Sequence, residues 1–284
     1  NDQEETALRR RLAQLAGEKL GRPEDAIRQL EAIVAAHPED EDTVEALDRL
    51  FVAAGRHKDR KSLFEGRIER AEDPAQKFVL LTELANLEER ALGDREAAAS
   101  RRRQLLTIDP TDRGTLESLD GLLVALGQHE ELASILERRI EVANGDAERV
   151  TLFTRLGDLR REKLRKVDEA ITAYDSALSL DPSAHGAADG LATIEASSAA
   201  HAIEVGRLLE PYYERTGRAA ELSRVFERRL AASTDDEEKR ELRLRMANLA
   251  ATALGDPSAA YDALESAFLD RPGDVDLWDR LTET

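Results

Sequence analysis

The sequence holds no cysteine, one methionine, one tryptophan and only 4% aromatic residues in 284 positions. Without cysteine there is no disulfide framework, no thiol nucleophile and no zinc–thiolate site. No run approaches the roughly 18 consecutive apolar residues of a membrane-spanning helix, so membrane insertion is not expected. Positive charge is short as well: 41 Lys+Arg stand against 59 Asp+Glu, a formal charge of -18. Such a chain repels phosphates, and nucleic acid is therefore not an expected partner. With 35% charged residues and so few aromatics, the composition suits a long helical array better than one thick core.

Chemical motifs are missing too. There is no HExxH, GxGxxG, GxxxxGK[ST] or GxSxG. Of the five histidines, His57 and His129 occupy equivalent places in an internal repeat, so duplication explains the pair. The acidic runs Glu39–Asp42 and Asp235–Glu238 precede helical patterns, where negative charge meets the positive end of the helix dipole. Neither run has the spacing of a calcium loop. The reading is of a chain that is not an enzyme, with no catalytic, cofactor or metal site.

What is present is a repeat. Pro38, Pro110 and Pro182 stand 72 residues apart, and Pro272 follows after 72 plus an 18-residue insertion. Columns around them confirm the register: Leu8/Leu80/Leu152/Leu242, Leu12/Leu84/Leu156/Met246, Leu15/Leu87/Leu159/Leu249 and Ala26/Ala98/Ala170/Ala260. Spacings of three, four and seven are helical. Gly21, Gly93 and Gly255 end a first helix, with Arg165 in the same column, and the prolines stop a second. A third runs through Val44/Leu47/Leu50/Phe51 and Leu116/Leu119/Leu122/Leu123 to Gly55 and Gly127. A fourth carries Leu63-Phe64/Ile68, Ile135-Leu136/Ile140 and Val225-Phe226/Leu230. One 72-residue unit is thus two helix hairpins. The units predicted are 1–72, 73–144, 145–234 with the insertion near 183–200, and an incomplete 235–284, in which Trp278 and Leu281 fall in the columns of Val44 and Leu47. An incomplete last unit suggests a piece of a longer protein.

Leu156-Gly157, Asp168-Glu169-Ala170-Ile171, Tyr174, Ala177-Leu178 and Leu180-Asp181-Pro182 resemble a tetratricopeptide repeat, and weaker versions cover the whole chain. The departures are a first-to-second-helix loop about one residue longer than the family norm, and Leu30, Arg102 and Leu264 in the tyrosine column. Half-a-tetratricopeptide and other helical-hairpin arrays share these features and stay open. The resemblance implies an all-α fold: a right-handed α–α superhelix, a solenoid of about eight hairpins forming one domain over 1–284.

It also implies a role, that of a scaffold binding protein or peptide partners, within a larger assembly where one exists, on a concave face lined by the odd-numbered helices. The groove positions carried over are Arg10, Gln14, Arg49, Thr82, Asn86, Thr154, Asp158, Arg207 and Asn248. Asn86 and Asn248 stand out because an amide offers donor and acceptor to a peptide backbone. The family's lysine-rich clamp for a C-terminal carboxylate has no counterpart, since none of the seven lysines falls at these places. Two other readings are an RNA-binding helical repeat, suggested by Arg9-Arg10-Arg11 and Arg101-Arg102-Arg103, and a regulatory module of a larger enzyme. Against RNA, the arginines of the fourth helices sit beside a glutamate column (Glu65, Glu137, Glu227), which suits ion pairs between repeats.

The insertion 183–200 keeps a stripe of Ala188, Leu191 and Ile194. A full extra helix would reverse the direction of every helix after it. The expectation is a short helix packed at an angle, with the array resuming at His201–Gly217 and Pro211 kinking the resumed helix.

Overall fold

The computed structural model describes residues 2–270 and 281, and the regular structure among them is entirely helical. The chain falls into two compact units, 1–128 and 129–284. The first contains α1 (Asp2–Gln14), α2 (Pro23–Ala36), α3 (Glu41–Ala54), α4 (His57–Arg70), α5 (Pro74–Arg90), α6 (Arg95–Ile108) and α7 (Arg113–Leu126). The second contains α8 (His129–Glu141), α9 (Asp146–Leu159), α10 (Val167–Leu180), α11 (His185–Ser197), α12 (Ala202–Thr216), α13 (Ala219–Ala232), α14 (Asp236–Leu249) and α15 (Pro257–Asp270). Pro272 and Trp278 lie outside the described residues, while Leu281 packs, half-buried, against Ala247, Leu264 and Ala267.

Within each unit consecutive helices pack on one another, and the sequence punctuation does what its chemistry predicts. Asp40, Asp94 and Asp112 each accept a hydrogen bond from the backbone amide three residues on, closing the starts of α3, α6 and α7. Asp235, from the second acidic run, does the same for α14 through Glu237 N. The third-type helices α3, α7 and α12 end at Gly55, Gly127 and Gly217, all left-handed.

The longer loop takes one physical form in all four repeats. The backbone amides of Arg22, Asp94, Lys166 and Asp256 reach back six residues to the carbonyls of Ala16, Glu88, Arg160 and Ala250, at 2.8 to 2.9 Å. Just before this closure the helix widens into a π-type turn at Leu15–Lys19, Arg160–Leu164 and Ala250–Leu254. The second repeat makes one such bond, from Leu92 N to Leu87 O. The additional residue is absorbed by widening the last turn of the helix. A left-handed residue follows in every repeat, at Gly21, Gly93, Arg165 and Gly255, and Arg165 (φ 59) is the one non-glycine with positive φ among the described residues.

The insertion departs from expectation. It is a 13-residue helix, α11, as long as α8. By column α11 continues the uninterrupted 72-residue register: Ala188, Leu191 and Ile194 follow Leu116, Leu119 and Leu122, and all three are buried. The third helix is therefore present twice, once as α11 and again as α12, whose Gly217 answers Gly127. Pro211 lies within the continuous helix α12 rather than breaking it.

The second unit accordingly sorts into two rows. Gly186 of α11 lies against Thr154 of α9, and Glu195 of α11 pairs with Arg228 of α13. In the other row, His201 Nε2 at the head of α12 is 2.9 Å from Asp168 Oδ1 at the head of α10, Arg207 of α12 pairs with Glu238 of α14 at 2.8 Å, and Glu214 pairs with Arg245 at 2.8 Å. In the row of α10, α12 and α14 early positions meet early and late meet late, so these helices run parallel. Between rows, His185 at the head of α11 meets the Tyr212 hydroxyl near the tail of α12 at 2.5 Å, so the rows are antiparallel. The full-length insert has reversed direction downstream: α12 and α14, odd-numbered helices of the repeat by column, run with α10 rather than with α9.

Candidate functional site

The feature on which the hairpin of α9 and α10 closes is a tyrosine wedge. Tyr174 of α10 is fully buried between α9 and α11, and a Cβ added at Gly157 or Gly190 would meet its ring at 2.5 and 2.3 Å. Its hydroxyl donates to Asp158 Oδ1 at 2.7 Å and accepts from Arg161 Nε at 3.2 Å, so Asp158 is engaged inside the repeat. Burial raises the tyrosine's pKa, with the bond to Asp158 adding to the shift. One repeat earlier the wedge is Arg102. It is buried, its Nη2 donates to Asn86 Oδ1 at 2.6 Å, and burial lowers its pKa. The carbonyl of Asn86 is thus committed within the fold and not offered to a peptide.

In the first repeat the same column holds Leu30, which cannot reach so far. The slot beside it opens into a groove of about 670 Å³ between α1, α2 and α3. Ala13, Ala26, Leu30 and Leu50 make an apolar floor, and Arg10, Gln14 and Arg49 stand on the rim. Three of the nine expected positions therefore converge here. Arg10 is braced: it donates to Thr43 Oγ1 at 3.2 Å and pairs with Asp40. Burial pushes the Asp40 carboxyl up, but hydrogen bonds from Thr43 and Arg10 outweigh it and hold the pKa below the usual range. Gln14 Nε2 donates to Glu18 Oε2 at 3.2 Å. Arg49 is exposed and, among the described residues, has no hydrogen-bond or ion-pair partner.

The remaining positions do not join them. Thr82 and Thr154 turn their hydroxyls back to their own helices, onto Phe78 O and Val150 O at 2.9 and 2.8 Å. Arg207 is tied to Glu238, and Asn248 is exposed beside a second hollow of about 450 Å³ between α12, α13 and α14. Because α12 and α14 lie in the row of α10, Arg207 and Asn248 do not share a face with Thr154 and Asp158 on α9. The expectation of one groove lined by all four fails in the second unit, and its cause is the additional helix.

The charged fourth helices are engaged in ion pairs with other helices. Glu65 of α4 is held by Arg101 of α6 at 2.7 Å, Glu137 of α8 by Arg160 at the end of α9, and Arg67 of α4 holds Glu41 of α3 at 2.5 Å. Buried Arg229 bridges Glu210 at 2.6 Å and Glu238 at 3.0 Å. A fully buried carboxylate, Glu88, is met by Lys61 at 2.8 Å and Arg101 at 3.6 Å. Sequence reading missed the burial of Glu88, Glu195 and Arg102, although each replaces an apolar or small residue of its column. Among the described residues no group of three or more His, Asp or Glu could hold a metal ion, and no helix is long and apolar enough to cross a membrane.

The architecture is that of a helical-hairpin repeat of the tetratricopeptide-like kind. Compared with known protein families and with curated proteins, the chain matches none. Among solved structures it is similar over nearly its full length to tetratricopeptide repeat proteins. One is from Parabacteroides merdae, at 14% identity over 98% of each chain and a TM-score of 0.38. Another is the C-terminal part of a repeat-containing protein from Cytophaga hutchinsonii, at 13% identity over 95% of this chain and 98% of that one, with a TM-score of 0.35. A third is YrrB, described as a tetratricopeptide protein with an unusual peptide-binding site, at 16% identity over 76% of this chain and 96% of that one, with a TM-score of 0.30. With identities and scores this low nothing about binding passes from them to this chain, and the hairpin architecture stands on its own packing.

Proposed function

We propose that this chain is a non-catalytic scaffold segment that binds a peptide or protein partner, and that its first seat is the groove between α1, α2 and α3. One observation carries the reading: the slot that Tyr174 and Arg102 fill from within in later repeats is left open beside Leu30. An apolar floor with a few polar groups on the rim is the usual make-up of a ligand site. Arg10 is held in place by α3, and the rim carries Glu18 and Asp42 beside an uncommitted Arg49, so it favours a partner segment with an apolar side chain flanked by polar groups of both signs.

The test is a selection of displayed random peptides on the whole chain, followed by fluorescence anisotropy with the winners. Ala46→Trp fills the groove from α3, and the expected result is a loss of affinity of more than about tenfold, roughly the weight of one buried hot-spot contact. Winners that bind this variant unchanged place the seat elsewhere. A gel-shift titration with single-stranded RNA across a salt series tests the other reading. Tight binding that weakens steeply with salt would favour RNA over peptide.

A further inference from the structure

The first helix carries the same leucine columns as its counterparts, yet it is dressed differently. Leu80, Leu84 and Leu87 on α5 are 5%, 0% and 4% exposed, while Leu8 and Leu12 on α1 and Leu15 at the start of the widened turn that follows it are 59%, 45% and 38% exposed, and Leu20 beyond them is 63% exposed. The difference has one structural source. On α5 the columns are covered by α4, whose Phe64 and Ile68 share a core with Leu80, Leu84 and Leu87. On α14 the fourth-type helix α13 does the same, with Val225 and Phe226 in one core with Leu242 and half-buried Met246 and Leu249. Helix α8 packs likewise on α9, where Leu152, Leu156 and Leu159 are buried.

We propose that the leucine face of α1 is the seat of one further fourth-type helix, an amphipathic segment with the pattern of α4, α8 and α13, seated in the register in which α4 meets α5. Leu254, in the column of Leu20, is 41% exposed even under α13, so the face that lacks its cover is that of Leu8, Leu12 and Leu15, and three exposed leucines at helical spacing are unusual for a solvated surface. Three other instances in the same chain show what covers it and how. The polar surroundings fit the same occupant. Gln29 of α2 stands in the column of Arg101, the partner of Glu65, and Arg9 Nη1 donates to Gln29 Oε1 at 3.2 Å. Arg9 also holds the exposed Glu5 of its own helix at 2.7 Å, and the glutamate that α4 and α8 carry at 65 and 137 would share or replace that partner, as it meets Arg101 and Arg160 in the repeats that follow. A second α1 brings no such glutamate in register.

Position 2 corresponds to position 74, so the chain supplies its own probe: residues 57–73 grafted directly ahead of Asp2 in the full chain. Hydrogen exchange of the α1 amides, thermal unfolding and sedimentation are read on the grafted chain and on the chain as it stands. The expected result is about tenfold or more slower exchange along α1, with a higher melting temperature. The same graft carrying Phe64→Asp and Ile68→Asp should leave α1 exchanging as before. Three outcomes overturn the proposal: a graft that leaves α1 exchange unchanged, an equal effect from the charged control, or an ungrafted chain that sediments as a dimer with α1 protected in proportion to concentration. The last would assign the face to a second copy.

Discussion

Arg165 shows how a single residue can be out of step with its column. Gly21, Gly93 and Gly255 adopt left-handed backbone at the end of the first helix of their repeats without cost, whereas Arg165 adopts it against its own Cβ. Arg165→Gly is expected to raise stability by about 1 kcal/mol, partly offset by the greater freedom of glycine in the unfolded chain. A thermal melt of the two proteins checks the sign. Tyr174 gives the opposite lesson, since Gly157 and Gly190 exist to admit its ring. Gly190→Ala should destabilise by about 2 kcal/mol through overpacking, and the loss should shrink when Tyr174→Leu is made as well. Additive losses in the double-mutant cycle would mean that the ring does not clash with that face.

At the scale of elements, ionic ladders hold α12, α13 and α14 together. Glu238 accepts from Ser233 Oγ at 2.7 Å, from Arg229 at 3.0 Å and from Arg207 at 2.8 Å, and these bonds, led by that from Ser233, bring its pKa from 4.5 to about 2. A lowered carboxylate pKa stabilises the fold above the unfolded value and loses that contribution as pH falls from about 4.5 toward 2. Allowing for screening by the water that reaches it, about 2 kcal/mol is expected to disappear over that window. Glu238→Gln should be less stable at pH 7 and should flatten this part of the profile in urea titrations. Glu88 makes the complementary case. Lys61→Met strands a fully buried carboxylate with only the longer contact to Arg101, and a loss of about 3 kcal/mol in the same titration is expected.

Helix type, order and caps were legible in the sequence because each is a local event: a leucine column, an aspartate three residues before an amide, a glycine after the last turn. Even the longer loop was visible as a count of residues, although its form as a widened turn was not. What escaped was set by neighbours. Asn86 and Asp158 read as free groove residues until the side chains sixteen positions on, Arg102 and Tyr174, are seen to claim them. The direction of a helix has no signature in its own residues. The columns of α12 fit the third helix, and only contacts with α10 and α14 reveal which row it occupies.

For the molecule as a whole, the doubled third helix is the feature to disturb. Removing residues 183–200 restores the 72-residue spacing and brings α12 to the place of α11, but Leu208 would then stand in the column of Gly190, against the Tyr174 ring. The deletion is therefore expected to melt lower than the parent, and Leu208→Gly should raise the melting temperature of the deletion while lowering that of the parent. A deletion that melts like the parent would show that Tyr174 tolerates a leucine at this place. Because the chain comprises two compact units, unfolding is also expected to depart from two-state behaviour, with a calorimetric enthalpy above the van't Hoff value.

An odd number of added helices acts on a repeat array as a single inserted base acts on a coding frame. Within the second unit a given column reads out in one row before α11; after it the same column reads out in the other. Aligning the repeats by sequence will therefore assign Arg207 and Asn248 to the wrong surface, however good the alignment. Within the second unit the two rows thus draw unlike surfaces from a single vocabulary of helices.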